Sequence, residues 1–113
     1  MCFGEFCLGN YRDRLDIIAD ILNVASRDAK KTQIMYQANL SYKVLQKYLA
    51  EVIESSLVSF ENERSCYQLT EKGKKFLEAY EAYSKTYRHV EKRLNDVEMR
   101  KKNLQELCTS SKL

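Results

Sequence analysis

The chain has 113 residues, of which 44% are hydrophobic and 31% charged, a balance typical of one globular domain. No apolar run approaches the roughly 20 residues that a membrane span requires. The first residues, MCFGEFCLGN, lack the basic leader and the apolar stretch of a secretory signal. We therefore expect a cytoplasmic protein with no membrane partner.

The cysteine and histidine content gives no sign of a metal site. Cys2, Cys7, Cys66 and Cys108 match no zinc-binding spacing, and His89 is the only histidine. A reducing cytosol favours thiols, although intracellular proteins of hyperthermophiles leave a disulfide open. The chain also lacks a glycine-rich phosphate loop, a nucleophile beside a histidine and paired carboxylates placed to form a cleft. We expect no cofactor, no metal and no enzymatic activity.

The net charge of +3 is unevenly distributed, which matters for the choice of partner. Residues 26 to 50 carry five cations against one acid and form the most basic segment for its length. The chain has no proline and only three glycines. Helices are therefore expected to dominate.

Two helices are expected before residue 39. Apolar residues recur at helical spacing from about Asp13 to Ala25, which predicts a helix with one buried side. Asp16 and Asp20 fall on its other face. Thr32 is the expected cap of a short second helix that ends at Ala38.

A third helix is predicted from about Tyr42 to Ser55, after a tight turn at residues 39 to 41 in which Ser41 can cap the helix. Its core-facing stripe consists of Leu45, Tyr48, Leu49, Val52 and Ile53. Its opposite face presents Lys43, Gln46, Lys47 and Ala50. Helix, turn and helix in this order are typical of a helix-turn-helix module, whose second helix enters the major groove of DNA.

A β-hairpin and a long helix complete the chain. LVSF and CYQL are rich in strand-forming residues and flank the polar loop ENERS, so they predict a wing with Asn62 and Arg64 near its tip. Thr70 is the expected cap of the last helix, with Glu71 in its first turn.

The last helix carries an apolar seam whose members advance by alternating steps of four and three, as in a coiled coil. They are Phe76, Tyr80, Tyr83, Tyr87, Val90, Leu94, Val97, Lys101, Leu104 and Cys108, of which only Lys101 is charged. The seam extends about 48 Å at 1.5 Å per residue, farther than the preceding domain can cover. A second copy is the economical partner for it, so we expect a homodimer through the seam from Tyr83 to Cys108.

These elements predict a mainly α fold with a small β-hairpin wing (α+β). The expected parts are an N-terminal tail at 1–11, a winged helix-turn-helix domain at 12–73, a dimerising helix at 70–108 and a C-terminal tail at 109–113.

The chain resembles a family of small archaeal winged-helix DNA-binding proteins over roughly residues 12 to 108. The resemblance lies in AKKTQIMYQANLSYKVLQKYL and YQLTEKGKKFLEAY, above all in the turn NLSY and the junction LTEKG. It implies a dimer joined by an antiparallel coiled coil, and double-stranded DNA binding of a regulatory or architectural, nucleoid-associated kind. It also implies DNA contacts by Lys30, Lys31 and Thr32, by the face from Ser41 to Lys47, and by Arg64.

The residues themselves suggest roles within this set. Tyr42, Lys43, Gln46 and Lys47 would lie nearest the base edges, with Gln46 suited to adenine and Lys43 to guanine. Lys30, Lys31 and Ser41 would hold phosphates, and Arg64 would reach a minor groove. The alternative function is a winged-helix module for protein interactions without direct DNA binding, because a fold alone does not fix the partner.

The charges beside the seam disagree with the antiparallel orientation. Glu91 and Glu98 occupy e positions while Arg93 and Arg100 occupy g positions, which pairs Arg93 with Glu98 in a parallel dimer. Exposed pairs of this kind contribute only about 0.2 to 1 kcal/mol, less than burial of the apolar layers. The antiparallel orientation is therefore the expectation. The DNA target and any effector ligand stay open.

Overall fold

The computed structural model describes residues 5–6, 8–9 and 12–110. Two short strands, β1 (Glu5–Phe6) and β2 (Leu8–Gly9), pair antiparallel. The remainder of the expected tail at 1–11, with Cys2 and Cys7, lies outside the described residues, as do residues 111–113. The expected C-terminal tail is partly helical, because the last helix continues to Ser110.

The first helix, α1 (Arg14–Ala25), begins at a reciprocal cap. The Asp13 carboxylate accepts from the Asp16 amide at 2.9 Å, and the Asp16 carboxylate accepts from the Asp13 amide at 3.1 Å, which satisfies two backbone donors that would otherwise have no partner. Asp16 and Asp20, predicted on the face away from the apolar stripe, are half-buried. Asp16 also accepts from the Tyr80 hydroxyl, and Asp20 pairs with Arg12 at 2.8 Å.

The second helix, α2 (Lys31–Gln37), begins one residue before the predicted cap, so the assignment of Thr32 as N-cap was wrong. Lys30 occupies the cap position, and its amide donates to the Gln33 side-chain oxygen at 3.0 Å. Gln33 thus gives the Lys30 amide an acceptor, whereas the Lys30 side chain has no acceptor to offer the amides of the first turn. Ile34 is the fully buried residue of this helix.

The third helix, α3 (Tyr42–Glu54), follows a turn in which Asn39 adopts a φ of 55°. Asparagine tolerates this left-handed conformation. The Ser41 hydroxyl accepts from the Val44 amide at 3.3 Å and caps the helix as predicted. Leu45, Leu49 and Val52 are buried, whereas Ile53 lies exposed rather than in the core, because it is at the edge of the apolar stripe.

The predicted wing is present as an antiparallel pair, β3 (Val58–Glu61) with β4 (Cys66–Leu69). Glu61 belongs to the strand, so the connecting turn has the four residues 62–65 instead of the predicted five. Ala29, in the loop between α1 and α2, exchanges backbone hydrogen bonds of 2.7 and 3.1 Å with Tyr67 of β4. The wing is therefore tied to the helical part of the domain.

One hydrophobic core holds the three helices and the wing together. Ile21 and Leu22 of α1, Ile34 of α2, Leu45 of α3 and Val58 of β3 are its large, fully buried members. Burying a side chain of this size contributes roughly 1.5 to 3 kcal/mol. The observed mainly α fold with a β-hairpin confirms the predicted fold class.

The last helix, α4 (Glu71–Ser110), contributes residues up to Tyr80 to the first compact unit, and Glu81 begins a second one. The Thr70 hydroxyl accepts from the Gly73 amide at 3.0 Å, which confirms Thr70 as the cap. Phe76 packs against the core. Burial, the hydrogen bond to Asp16 and nearby carboxylates raise the pKa of the Tyr80 phenol above its ordinary value.

The second unit, from Glu81 onward, is described as a single helix as far as Ser110. Its seam residues are exposed in the single chain, with Leu94 at 59%, Val97 at 58% and Leu104 at 64%. The Tyr83 and Tyr87 rings stack with centroids 6.1 Å apart. Among the described residues, no helix is long and apolar enough to cross a membrane.

Close packing around residue 73 explains why the LTEKG junction contains a glycine. A Cβ atom there would lie 2.3 Å from the Leu57 carbonyl oxygen and 2.5 Å from the Leu69 Cδ1 atom. The Leu57 oxygen accepts from the Thr70 amide at 3.1 Å, so it is not free to move.

We expect Gly73→Ala to destabilise the fold by about 1 to 3 kcal/mol through overpacking, although alanine favours helix by about 1 kcal/mol. Urea unfolding measures the change. Lys75→Ala, two residues along on an exposed position, is the control and should change stability little. A Gly73→Ala protein as stable as the wild type would contradict the close packing.

Candidate nucleic-acid interface

The exposed side of α3 brings together the residues predicted to contact base edges. Tyr42, Lys43, Gln46 and Lys47 are all exposed, while Leu45 and Leu49 point into the core. Residues four apart on a helix are neighbours, so Tyr42 lies beside Gln46 and Lys43 beside Lys47. The helix therefore presents two adjacent rows of polar side chains.

Tyr42 connects this face to α2. Its hydroxyl oxygen accepts from Gln46 Nε2 at 2.9 Å and lies 3.4 Å from Lys31 Nζ. The Lys31 ammonium also lies over the Tyr42 ring, 4.8 Å from its centroid, a favourable placement for a cation. The side chains of Lys31, Tyr42 and Gln46 thus form one contiguous group, which we call the Tyr42 cluster.

The other predicted contacts of the two helices surround this cluster. Lys30 and Thr32 are exposed at the start of α2, and Ser41 is exposed at the cap of α3. Lys47 Nζ lies 5.3 Å from the centroid of the Tyr48 ring. Four lysines therefore share the part of the surface formed by α2 and α3.

Arg64, the predicted wing contact, is separate from this group and is paired with acids. Its guanidinium lies 3.3 Å from the Asp28 carboxylate and 3.4 Å from the Glu61 carboxylate. Cys66, Asp28 and Glu61 raise the pKa of Arg64, which keeps its charge. The contact with Asp28 leaves no signal in the sequence, because Asp28 is 36 residues away from Arg64.

Arg12 is an important residue that sequence reasoning did not single out. Its guanidinium donates to the carbonyl oxygens of Ala38 at 2.7 Å and Asn39 at 2.8 Å, and also to the Asp20 carboxylate at 2.8 Å. It thereby satisfies carbonyls at the end of α2 and fastens the turn to α1. No local pattern signals this role, because the partners lie up to 27 residues away.

The residues predicted to form a dimer interface lie together along one helix. They are Tyr83, Tyr87, Val90, Leu94, Val97, Lys101, Leu104 and Cys108, all of them exposed in the single chain. Cys66 is a buried thiol and Cys108 an exposed one. Within the part of the chain that the structure describes, no group of three or more potential ligands is arranged to hold a metal ion.

Comparison with known proteins identifies the family. The family model for winged helix-turn-helix proteins matches residues 11–88, a span that contains α1 to α3 and the hairpin. The chain belongs to the winged helix-turn-helix family. Its membership confirms the fold that the sequence predicted for these elements.

Two archaeal proteins are similar to this winged helix-turn-helix chain. One is Sso10a-2, described as a DNA-binding protein from Sulfolobus solfataricus. Its crystal structure superposes on this chain with a TM-score of 0.69 at 30% sequence identity, and the match covers 76% of this chain and 93% of Sso10a-2. The other is an uncharacterized protein of Methanocaldococcus jannaschii, 37% identical over 71 residues, or 62% of this chain. The chain spans about a third, 33%, of that curated relative. The resemblance to archaeal winged-helix proteins is confirmed.

Removal of the Arg12 side chain tests its role in holding the turn. We expect Arg12→Ala to lower the free energy of unfolding by about 1.5 to 3 kcal/mol, the usual contribution of hydrogen bonds to a charged group. Hydrogen exchange at the Leu40 amide, which donates to the Met35 carbonyl at 2.9 Å, should accelerate. Arg27→Ala removes an exposed arginine from the same unit and serves as the control. Equal stability and equal exchange in the two variants would contradict a fastening role.

Proposed function

We propose that this protein binds double-stranded DNA as a homodimer, as a transcriptional regulator or an architectural protein of the nucleoid, with α3 in the major groove. The observation that carries the proposal is the outward face of α3. Lys43, Gln46 and Lys47 are exposed on the side opposite the buried Leu45 and Leu49. The family and the similarity to an archaeal DNA-binding protein support the same function.

The side chains divide into two kinds of contact. Lys43 and Gln46 reach base edges, where a lysine suits guanine and a glutamine suits adenine. Lys30, Lys31, Thr32 and Ser41 approach the phosphates beside the groove and fix the position of the helix. Tyr42 and Lys47 are also on the exposed side of α3.

The wing contributes less than the helices. Arg64 must exchange two carboxylates, Asp28 and Glu61, for a phosphate or a minor-groove edge before it can contact DNA. Glu63 beside it is exposed and repels phosphates. The main electrostatic attraction therefore comes from the lysines of α2 and α3.

The seam of α4 supports the homodimer because it is self-complementary in an antiparallel pair. Its members lie symmetrically about the point between residues 95 and 96, so that Leu94 faces the partner's Val97 and Tyr87 faces the partner's Leu104. Tyr83 faces Cys108 in the same way, and Val90 faces Lys101. Each layer joins an a position to a d position, and a second copy covers the apolar residues that are exposed in one chain.

The flanking charges oppose this register without outweighing it. Glu91 would face the partner's Glu98, and Arg93 the partner's Arg100. These side chains are at the rim of the pair, where such contacts are worth about 0.2 to 1 kcal/mol. Each buried apolar side chain contributes roughly 1.5 to 3 kcal/mol, so the seam decides the orientation.

Substitution of the α3 face tests DNA binding. We expect the triple variant Lys43→Ala, Gln46→Ala, Lys47→Ala to bind duplex DNA much more weakly than the wild type, because base contacts are lost together with two of the lysine charges that face the DNA. Its affinity should also depend less on salt, by about 0.9 in log–log slope for each phosphate that these two lysines neutralise. Fluorescence anisotropy over a salt series measures both quantities.

A matched control removes the same residue types from elsewhere. Lys92→Ala, Lys102→Ala, Gln105→Ala changes three exposed residues of α4 outside the seam and should lose far less affinity. Equal losses in both triple variants would contradict the groove assignment. Absence of duplex binding by the wild type even at low salt would favour the protein-interaction module.

Substitution in the seam tests the dimer. We expect Leu94→Asp to yield monomers in light scattering, because it places an unpaired charge in each copy of a buried layer. Asn95→Asp adds the same charge at the neighbouring b position and should stay dimeric. A monomeric wild-type protein would contradict the proposal.

Cysteine cross-linking reports the orientation of that dimer. In a chain with Cys2, Cys7 and Cys108 changed to serine, the antiparallel register predicts disulfide-linked dimers for the double variant Tyr87→Cys, Leu104→Cys. Leu104→Cys alone should not cross-link, because the two copies of residue 104 are far apart. Efficient cross-linking of the single variant would instead show a parallel pair.

A further inference from the structure

We propose that Tyr42 is a positioning residue that holds the Gln46 amide for reading an adenine, without itself contacting a base. The inference rests on the proposed binding of α3 in the major groove and names the determinant of base specificity there. Its basis is the Tyr42 cluster, in which one phenol oxygen connects a glutamine of α3 with a lysine of α2.

The hydrogen-bond geometry fixes the direction of the Gln46 amide group. Gln46 Nε2 donates to the Tyr42 oxygen at 2.9 Å. The Lys31 ammonium lies 3.4 Å from the same oxygen, and because an ammonium is only a donor, that oxygen acts as the acceptor. The amide nitrogen of Gln46 is therefore turned toward Tyr42, and its Oε1 atom is turned away.

The remaining groups of Gln46 match one base. One N–H and the Oε1 atom stay available, since no described residue donates to Oε1 or accepts the second N–H. Adenine presents an acceptor, N7, and a donor, the N6 amino group, side by side in the major groove. Guanine presents two acceptors there, so it would leave Oε1 without a donor.

Tyr42 acts by restricting Gln46 before DNA arrives. A free glutamine on a helix surface samples several rotamers and loses that freedom on binding. One held by a hydrogen bond loses less, which favours the bound geometry. Tyr42 is itself 59% exposed, so it is not needed for the core, and its ring position is held by contact with Lys31.

Selection of bound sequences from a random duplex pool, followed by anisotropy measurements, tests the inference. The wild type should prefer adenine at one position of each half-site, and Gln46→Ala should remove that preference. Tyr42→Phe keeps the ring below Lys31 but removes the oxygen, and should reduce the preference about fivefold, the effect of one ordinary hydrogen bond. The salt dependence of binding should not change, because no phosphate contact is lost.

A double-mutant cycle separates positioning from direct contact. If Tyr42 acts through Gln46, Tyr42→Phe has no further effect in the Gln46→Ala protein. A loss of affinity that persists in that background would overturn the inference, since it means that Tyr42 contacts DNA itself. Tyr36→Phe, at a tyrosine that is 77% exposed on α2, is the control and should match the wild type.

Failure of the proposed function and failure of the inference about Tyr42 give different experimental results. If the wild type binds no duplex, the proposed function is wrong and the inference fails with it. If the wild type binds duplex but selects no adenine through Gln46, or if Tyr42→Phe retains the full preference, only the inference is overturned.

Discussion

The orientation of α3 about its own axis is the constraint on which the candidate interface depends. Leu45 and Leu49 are buried, and a helix cannot rotate without moving such residues into water at a cost of roughly 1.5 to 3 kcal/mol each. That burial leaves Lys43 and Lys47 on the outer side. Arg12 adds a second restraint, because it fastens the preceding turn to α1 through three hydrogen bonds. The candidate interface is therefore a consequence of core packing.

Elements whose signal is local could be predicted from the sequence. Helical periodicity located α1, α3 and α4, and strand-forming runs located the wing. The caps Ser41 and Thr70 were identified because a hydroxyl before an apolar repeat has one plausible role, to accept from the first free amides. The predicted cap of α2 was wrong because Thr32 and Gln33 both offer an acceptor near the start of that helix. Spacing alone does not show which of the two side chains accepts from the backbone.

Interactions between residues distant in sequence could not be predicted in this way. Arg12 reaches Asn39, and the Tyr80 hydroxyl donates to Asp16, but neither pair leaves a periodic pattern. Helical spacing placed Asp16 and Asp20 on the face away from the apolar stripe but could not reveal their partners. Both are half-buried, and the structure supplies each with a donor. The same limit applies to Arg64, whose pairing with Asp28 reduces the charge that the wing offers to DNA.

The proposed dimer explains how domains with a weakly basic surface can together bind DNA. One domain presents four lysines on α2 and α3, and its wing is acidic, so a single domain would neutralise few phosphates and bind weakly at physiological salt. When a seam joins two domains, the second contact with DNA becomes intramolecular, and the combined affinity exceeds that of either domain alone. A modest net charge of +3 is then sufficient for binding. In the proposed mode of binding, specificity rests chiefly on Gln46, because lysine contacts to phosphates carry no sequence information.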